Sequence, residues 1–317
     1  APNRVSERTR HIVLEAVAET GYVANEMARN LRQKKSNSIC VIAPDLSNPF
    51  FSFIISGIEQ ISGPMGYGVF VTESGLSQND KTRIVNLMAA ARVDGFIVLD
   101  GMLDHSLLKA RGRSGQRAPI IAACEWKAGS ITPSVIVDNV GGAVEAVKHF
   151  AALGHTKIGH ITGPDGNILT ETRIEGFKKG IEASGLEYRD EFVLKGGFSL
   201  ESGYEAAEKW LRMADRPTAM FCASDREAFG FISRLSKDGV RVPHDVSVIG
   251  FDDIEVSGYF VPALTTISQP RVEIGRVAAT KLFDLIKNDG ESNAVEQTSQ
   301  LDVTLVVRES TAPPPSA

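Results

Sequence analysis

The sequence predicts an α/β protein with two doubly wound lobes, preceded by a short all-α segment. Three observations carry that reading. From Ser38 onward, short apolar runs of strand character alternate with helical stretches of about ten to eighteen residues. The alternation restarts after Asp138, which splits it into two series. The first 36 residues lack it and are basic, with seven Arg or Lys against four Glu (+3); the chain total of −5 leaves −8 for the remainder. A length of 317 residues suits two domains, or one domain in two lobes.

The leading segment reads as two helices. Ser6 can accept hydrogen bonds from the free amides of a first turn, and Gly21 stands where a left-handed C-cap belongs. Between them Ile12, Val13, Ala16 and Val17 recur at helical spacing. Asn25 caps a second, short helix over residues 26–32, with Met27, Ala28 and Leu31 on one side and Arg29 and Arg32 beside them. Two turns are marginal in isolation, so this helix is expected to order against a partner. Four basic groups and no acid between Met27 and Ser36 suggest a polyanion, with a solvated surface helix as the alternative.

Strands are expected at 39–43, 67–71, 95–99, 119–123 and 134–137, then at 157–162, 192–194, 218–222 and 246–250. A helix over 139–153, closed by Gly154, opens the second series. Repeated strand-helix-strand units imply parallel sheets covered by helices on both faces, which makes each lobe Rossmann-like. Ligands bind such sheets at the carboxyl ends of the strands, so two lobes imply a cleft between them. The tail after Arg308, ending TAPPPSA, is Pro-rich and expected to be disordered.

Composition excludes several classes. An apolar fraction of 43% with 23% charged residues rules out wholesale disorder. No apolar run approaches the ~20 residues of a membrane span, and no signal-peptide pattern opens the chain. Cys40, Cys124 and Cys222 each sit in an apolar, strand-like run and read as buried thiols in a reducing compartment, so the expected location is the cytoplasm. No catalytic set assembles. There is no phosphate loop and no nucleophile elbow, and the glycines of GPMGYG precede a strand instead of following one. No cofactor and no metal site is expected, since the histidines show no zinc spacing and His155 and His160 read as structural. Asp252 and Asp253 are neighbours that point apart, which does not suit an acid/base dyad.

Four stretches carry a family resemblance: GYVANEMARNLRQKKSNSICVIAPDLSNPFF (21–51), DNVGGAVEAVKHFAALGHTKIGHITGP (138–164), FCASDREAFG (221–230) and VPHDVSVIGFDDIEVSGYFVPALTTISQPRVEIG (242–275). They resemble the LacI/GalR family of bacterial transcription regulators over essentially the whole chain, nearest its cytidine-, purine- and ribose-responsive branch. The resemblance implies a type I periplasmic-binding-protein-like core, an effector in its cleft, operator DNA as partner, and a homodimer. It implies a headpiece remnant over 1–24, a hinge over 25–37, a first lobe from 38–137 plus about 268–292, and a second lobe from 138–267 plus about 293–310. Residues 311–317 remain as a disordered tail. VSERTRHIVLEAVAETGY resembles the third headpiece helix, so the headpiece is expected to be incomplete in this chain. A stand-alone binding protein of the periplasmic type is the alternative.

By the same resemblance, Asn25, Ala28, Arg29, Leu31 and Lys34 meet DNA, with Leu31 as the minor-groove wedge. A core contact is the other reading of Leu31. Ala24 departs from the proline common before Asn25. The effector site is expected to draw on Phe50, Phe51, Glu125, Trp126, Arg173, Phe198, Ser224 and Asp252. Arginine and carboxylates suit vicinal hydroxyls and aromatic faces suit a ring, which implies a nucleoside or sugar ligand. Ser224 stands where sugar-binding relatives often carry Asn, and plain core packing is the alternative for the aromatics.

Overall fold

The computed structural model describes residues 6–20, 36–75, 93–103, 119–126, 130–288 and 297–315. The DNA-facing candidates Asn25, Ala28, Arg29, Leu31 and Lys34, together with Gly21, lie outside the described residues. Helix α1 (Glu7–Thr20) starts as its capping residue dictates, with the Thr9 amide donating to Ser6 Oγ at 3.3 Å. None of its residues is buried, and Ile12, Val13, Leu14 and Val17 are exposed.

The first lobe is a six-stranded sheet. Its own strands are β1 (Ser38–Ala43), β2 (Gly68–Glu73), β3 (Gly95–Val98), β4 (Ile120–Ala123) and β5 (Ser134–Val137). The second lobe adds β6 (Ile158–Ile161), β7 (Val193–Leu194), β8 (Ala219–Cys222), β9 (Ser247–Asp252) and β10 (Thr265–Ser268). Two late strands, β11 (Thr298–Leu301) and β12 (Thr304–Val306), complete one sheet each: the orders are β11-β5-β4-β3-β1-β2 and β12-β10-β9-β8-β6-β7. All pairings are parallel except β10 with β12. Central strands such as β3, β8 and β9 are buried along their whole length, which is why they read as continuous apolar runs.

Helices α2 (Phe50–Ser62), α3 (Asn139–Ala152), α4 (Ile168–Ala183), α5 (Leu200–Arg212), α6 (Asp225–Lys237) and α7 (Arg271–Lys287) cover the sheets. Helix α7 returns to the first lobe and crosses α2 at backbone contact. A Cβ on Gly57 would lie 2.1 Å from the Val272 carbonyl oxygen, and one on Gly275 would lie 2.1 Å from that of Ile54. The chain therefore passes between the lobes after β5, after β10 and between β11 and β12.

Two expectations are corrected here. Residues from 293 on do not return wholly to the second lobe, because β11 pairs in parallel with β5 of the first. Nor is the tail loose through residue 312. Ser310 is fully buried, its hydroxyl donating to Val248 O (2.6 Å) and accepting from Thr265 N (2.8 Å), and Ala312 exchanges hydrogen bonds with Ser247 Oγ. Proline bars none of these bonds, since the tail donors among them are Ser310 Oγ and the Ala312 amide, ahead of the PPP run. Strands β10 and β11 escape the sequence reading because TTIS and TSQL contain no apolar run, and β12 because it is only three residues long. The three thiols are free and buried, as expected.

Candidate functional site

A cavity of about 580 Å³ lies between the lobes at the carboxyl ends of both sheets. Seven of the eight expected residues line it: Phe50, Phe51, Glu125, Arg173, Phe198, Ser224 and Asp252. Trp126 is half-buried and does not line it; its backbone packs on Gly101 instead, whose added Cβ would stand 3.1 Å from the Trp126 oxygen. The residue next to a buried strand end need not share its neighbour's direction, and Glu125 is the one turned inward.

From the first lobe, Pro49 and Asn48 open α2 and set the Phe50 and Phe51 rings edge to face, with centroids 5.2 Å apart. From the second, Arg173 projects from the first two turns of α4 and is almost wholly buried. Its Nε donates to Asn139 Oδ1 (3.0 Å) and its NH1 to the Ala223 carbonyl. The guanidinium carbon lies over the Phe251 ring, 3.7 Å from its centroid, with the Phe198 centroid at 5.7 Å. Asn139 is itself fixed by donating to Val137 O (3.1 Å), so the first crossover between the lobes orients this arginine.

Three cavity residues hold left-handed backbone without being glycine: Cys124 (φ 65°), Phe198 (φ 58°) and Asp252 (φ 121°). Such conformations cost about 1–3 kcal/mol each and persist only where surroundings enforce them. For Phe198 the enforcing group is Glu227, a fully buried carboxylate on α6. Its Oε1 accepts from the amides of Gly197 (2.7 Å) and Phe198 (2.9 Å). Burial pushes the Glu227 carboxyl up to about 7 against the pull of those amides. Helices α5 and α6 meet closely enough for this because a Cβ on Gly203 would strike the Glu227 carbonyl oxygen at 2.0 Å. Asp225 does similar service behind the cavity, accepting from Ile254 N (2.9 Å), Ser257 Oγ (2.6 Å) and Thr266 Oγ1.

Glu125 Oε2 accepts from Gly101 N (3.0 Å) and, across the cleft, from Asn167 Nδ2 (2.9 Å). Burial raises its carboxyl to about 7. Asp252 Oδ1 accepts from Gln269 Nε2 (2.8 Å), and burial raises this carboxyl too, against the attraction of Arg173. A second contact between lobes, Arg226 to Asp45 at 2.8 Å, closes the rim. Asn167, Asn139, Asp100, Arg226, Glu227 and Gln269 were all missed from sequence. Asn167 had a signal, since it stands as an N-cap before the helix that bears Arg173 and its Oδ1 accepts from Leu169 N. Among the described residues no cluster of His, Cys, Asp and Glu could hold a metal ion.

Comparisons with known proteins agree with this architecture. Residues 147–311 match the periplasmic binding protein-like domain family. The HTH-type transcriptional repressor CytR of Escherichia coli (strain K12) is 34% identical over 98% of this chain and 89% of its own. The HTH-type transcriptional repressor PurR of Photobacterium profundum is 35% identical over 96% and 90%. Among solved structures, the transcriptional regulator CelR in complex with cellobiose superimposes with a TM-score of 0.78 at 28% identity, covering 97% of this chain and 92% of that one. A LacI family regulator from Enterococcus faecium with bound ribose gives 0.76 at 29% identity, over 87% and 99%. With repressor likeness running nearly end to end across a two-lobed core that encloses a ligand-sized cleft, the chain belongs to the LacI/GalR family of effector-responsive transcriptional repressors, in the branch of CytR and PurR.

Proposed function

We propose that this repressor senses a nucleoside, or another small ligand carrying a pentose, in the interlobe cleft and couples its binding to operator DNA. The observation that carries the reading is the pairing of aromatic faces from both lobes, Phe50 and Phe51 against Phe198, around Arg173 and the Glu125 and Asp252 carboxyls. A planar ring suits the aromatic faces, and vicinal hydroxyls suit the charged groups. The ribose and cellobiose bound to structural relatives support a polyhydroxylated ligand in this position. Ser224, which also caps α6, offers only a hydroxyl to that ligand.

Coupling follows from linkage: a ligand shifts the lobe arrangement only as far as it prefers one arrangement over another. Residues 36 and 37 lead directly into β1 of the first lobe, so a change in lobe orientation moves the segment before them. In a homodimer that movement decides whether two hinge segments, through Asn25, Ala28, Arg29, Leu31 and Lys34, meet DNA together. Such a protein works where the chromosome is, in the cytoplasm.

A thermal-shift screen against nucleosides, nucleobases, pentoses and hexoses, with calorimetry on each hit, tests the reading. A ligand at 100 times its Kd stabilises the folded state by about 2.7 kcal/mol, which such a screen detects. Stabilisation by a nucleoside and not by its free pentose supports the aromatic stack; stabilisation by hexoses alone overturns the reading.

A further inference from the structure

The cleft's inventory of hydrogen-bonding groups bears on which form of a ligand it accepts. Arg173 and Arg226 are the only cations among the described residues that line it. Arg226 is spent on Asp45 across the rim. Arg173 gives two of its nitrogens to Asn139 and Ala223, and its charge is already faced by Asp252, Glu227 and Glu125. Each helix start that points into the cleft has one of its free amides taken by a side chain. Asn48 Oδ1 takes the Phe50 amide (3.1 Å), Asn167 Oδ1 that of Leu169 (2.8 Å), Ser199 Oγ that of Ser202 (3.1 Å) and Ser224 Oγ that of Glu227 (3.2 Å). These are among the amides that would otherwise cradle an anion.

What the cavity leaves open is mostly carboxyl oxygen. Asp100, Glu125 and Asp252 each use one carboxyl oxygen on protein donors, to Met102 N, to Gly101 N with Asn167 Nδ2, and to Gln269 Nε2. The second oxygen of each has no partner among the described residues. Hydroxyl and amino groups donate to such oxygens, whereas a phosphate ester at neutral pH brings acceptors and negative charge alone.

We infer that the cleft rejects phosphate esters, admitting an uncharged nucleoside or sugar and excluding the same compound once phosphorylated. The inference rests on the cleft being the effector site. A sensor of this kind reports the free ligand before a kinase acts on it, or after a phosphatase has.

Matched pairs test it: uridine, cytidine, adenosine and ribose, each against its 5-phosphate ester, with orthophosphate alongside, by thermal shift and calorimetry on the whole chain. No ester and no orthophosphate should stabilise the protein at concentrations where a parent compound does. Where a parent binds, its ester should be weaker by about 100-fold or more. An ester that binds as well as its parent, or stabilisation by orthophosphate, overturns the inference. If neither member of any pair stabilises the chain, the nucleoside-or-pentose reading fails and the inference built on it falls with it, whereas an ester that binds overturns the inference alone.

Discussion

His160 lies at the centre of the second lobe, fully buried, with its ring stacked between Phe221 (centroids 4.8 Å apart) and Phe177 (5.2 Å). Its Nδ1 pairs with the Phe221 carbonyl at 2.9 Å, which makes Nδ1 the donor, and its Nε2 is buried without a partner. A second proton on Nε2 would thus be an unsolvated charge, and burial depresses this imidazole from 6.5 to about 4. The folded state therefore binds fewer protons than the unfolded chain between those two values. Stability from this residue is complete above pH 6.5 and is lost as pH falls through the window towards 4. Between pH 7 and pH 5 the loss comes to about 2 kcal/mol, because at pH 5 the unfolded imidazole is almost fully protonated and the folded one about a tenth. The raised carboxyls of Glu125, Glu227 and Asp252 act with the opposite sign, so the whole-protein pH profile mixes the two. Comparing the chain with His160→Phe separates them. Urea unfolding at pH 7 and pH 5 should give a pH-dependent difference that is more favourable to the variant at pH 5 by about 2 kcal/mol. An identical pH dependence in both proteins would refute the assignment of this charge-free state to His160.

Three further outcomes are expected. Arg173→Lys should weaken the binding of whichever ligand the screen identifies by tenfold or more, about 1.4 kcal/mol, by losing the cation–π contact of the guanidinium with Phe251 and the paired donors; unchanged calorimetric affinity would remove Arg173 from recognition. Ser310→Ala strands a buried acceptor on Val248 and a buried donor on Thr265, and should cost about 1–3 kcal/mol in urea unfolding. A loss within the error of the measurement would mean that the tail is dispensable. Asn167→Asp keeps the cap on Leu169 N but replaces the donor facing Glu125 with a carboxylate. The lobes should part, raising the radius of gyration in small-angle scattering at pH 8 and less so at pH 5; an unchanged radius at both would show that this contact does not hold the cleft shut.

Much of the architecture was legible because parallel strands buried on both faces leave a simple mark, as ICVIA and GFIVL do. The first helix of the second lobe was legible at both ends, from Asp138, whose Oδ1 caps Gly141 N at 2.8 Å, to Gly154 at φ 96°. What stayed hidden was stabilised by partners far away in sequence. Thr266 is a buried strand residue because Asp225 accepts from its hydroxyl, and Ser310 is ordered because Val248 and Thr265 are beside it. The cavity residues that carry large or charged side chains after a strand could be picked out. Glu227 could not, since its role depends on a close approach of two helices, and a carboxylate in DREAFG reads as a solvated helical charge. Trp126 was misread for the converse reason: an aromatic beside the right strand end still has to face the right way.

The threefold passage of the chain between lobes also governs how this protein can be made. Neither lobe is a contiguous stretch of sequence, because the first lacks its edge strand until Leu301 exists and the second lacks β12 and the Ser310 clasp until residues beyond Val306 exist. A nascent chain leaving the ribosome holds two incomplete sheets until residues 298–306 have been made, and both close within a span of about a dozen positions. Premature termination anywhere upstream yields no half-working regulator with one intact lobe. Synthesis through Ala312 is thus a condition for both lobes to be complete, and with it any response to a ligand.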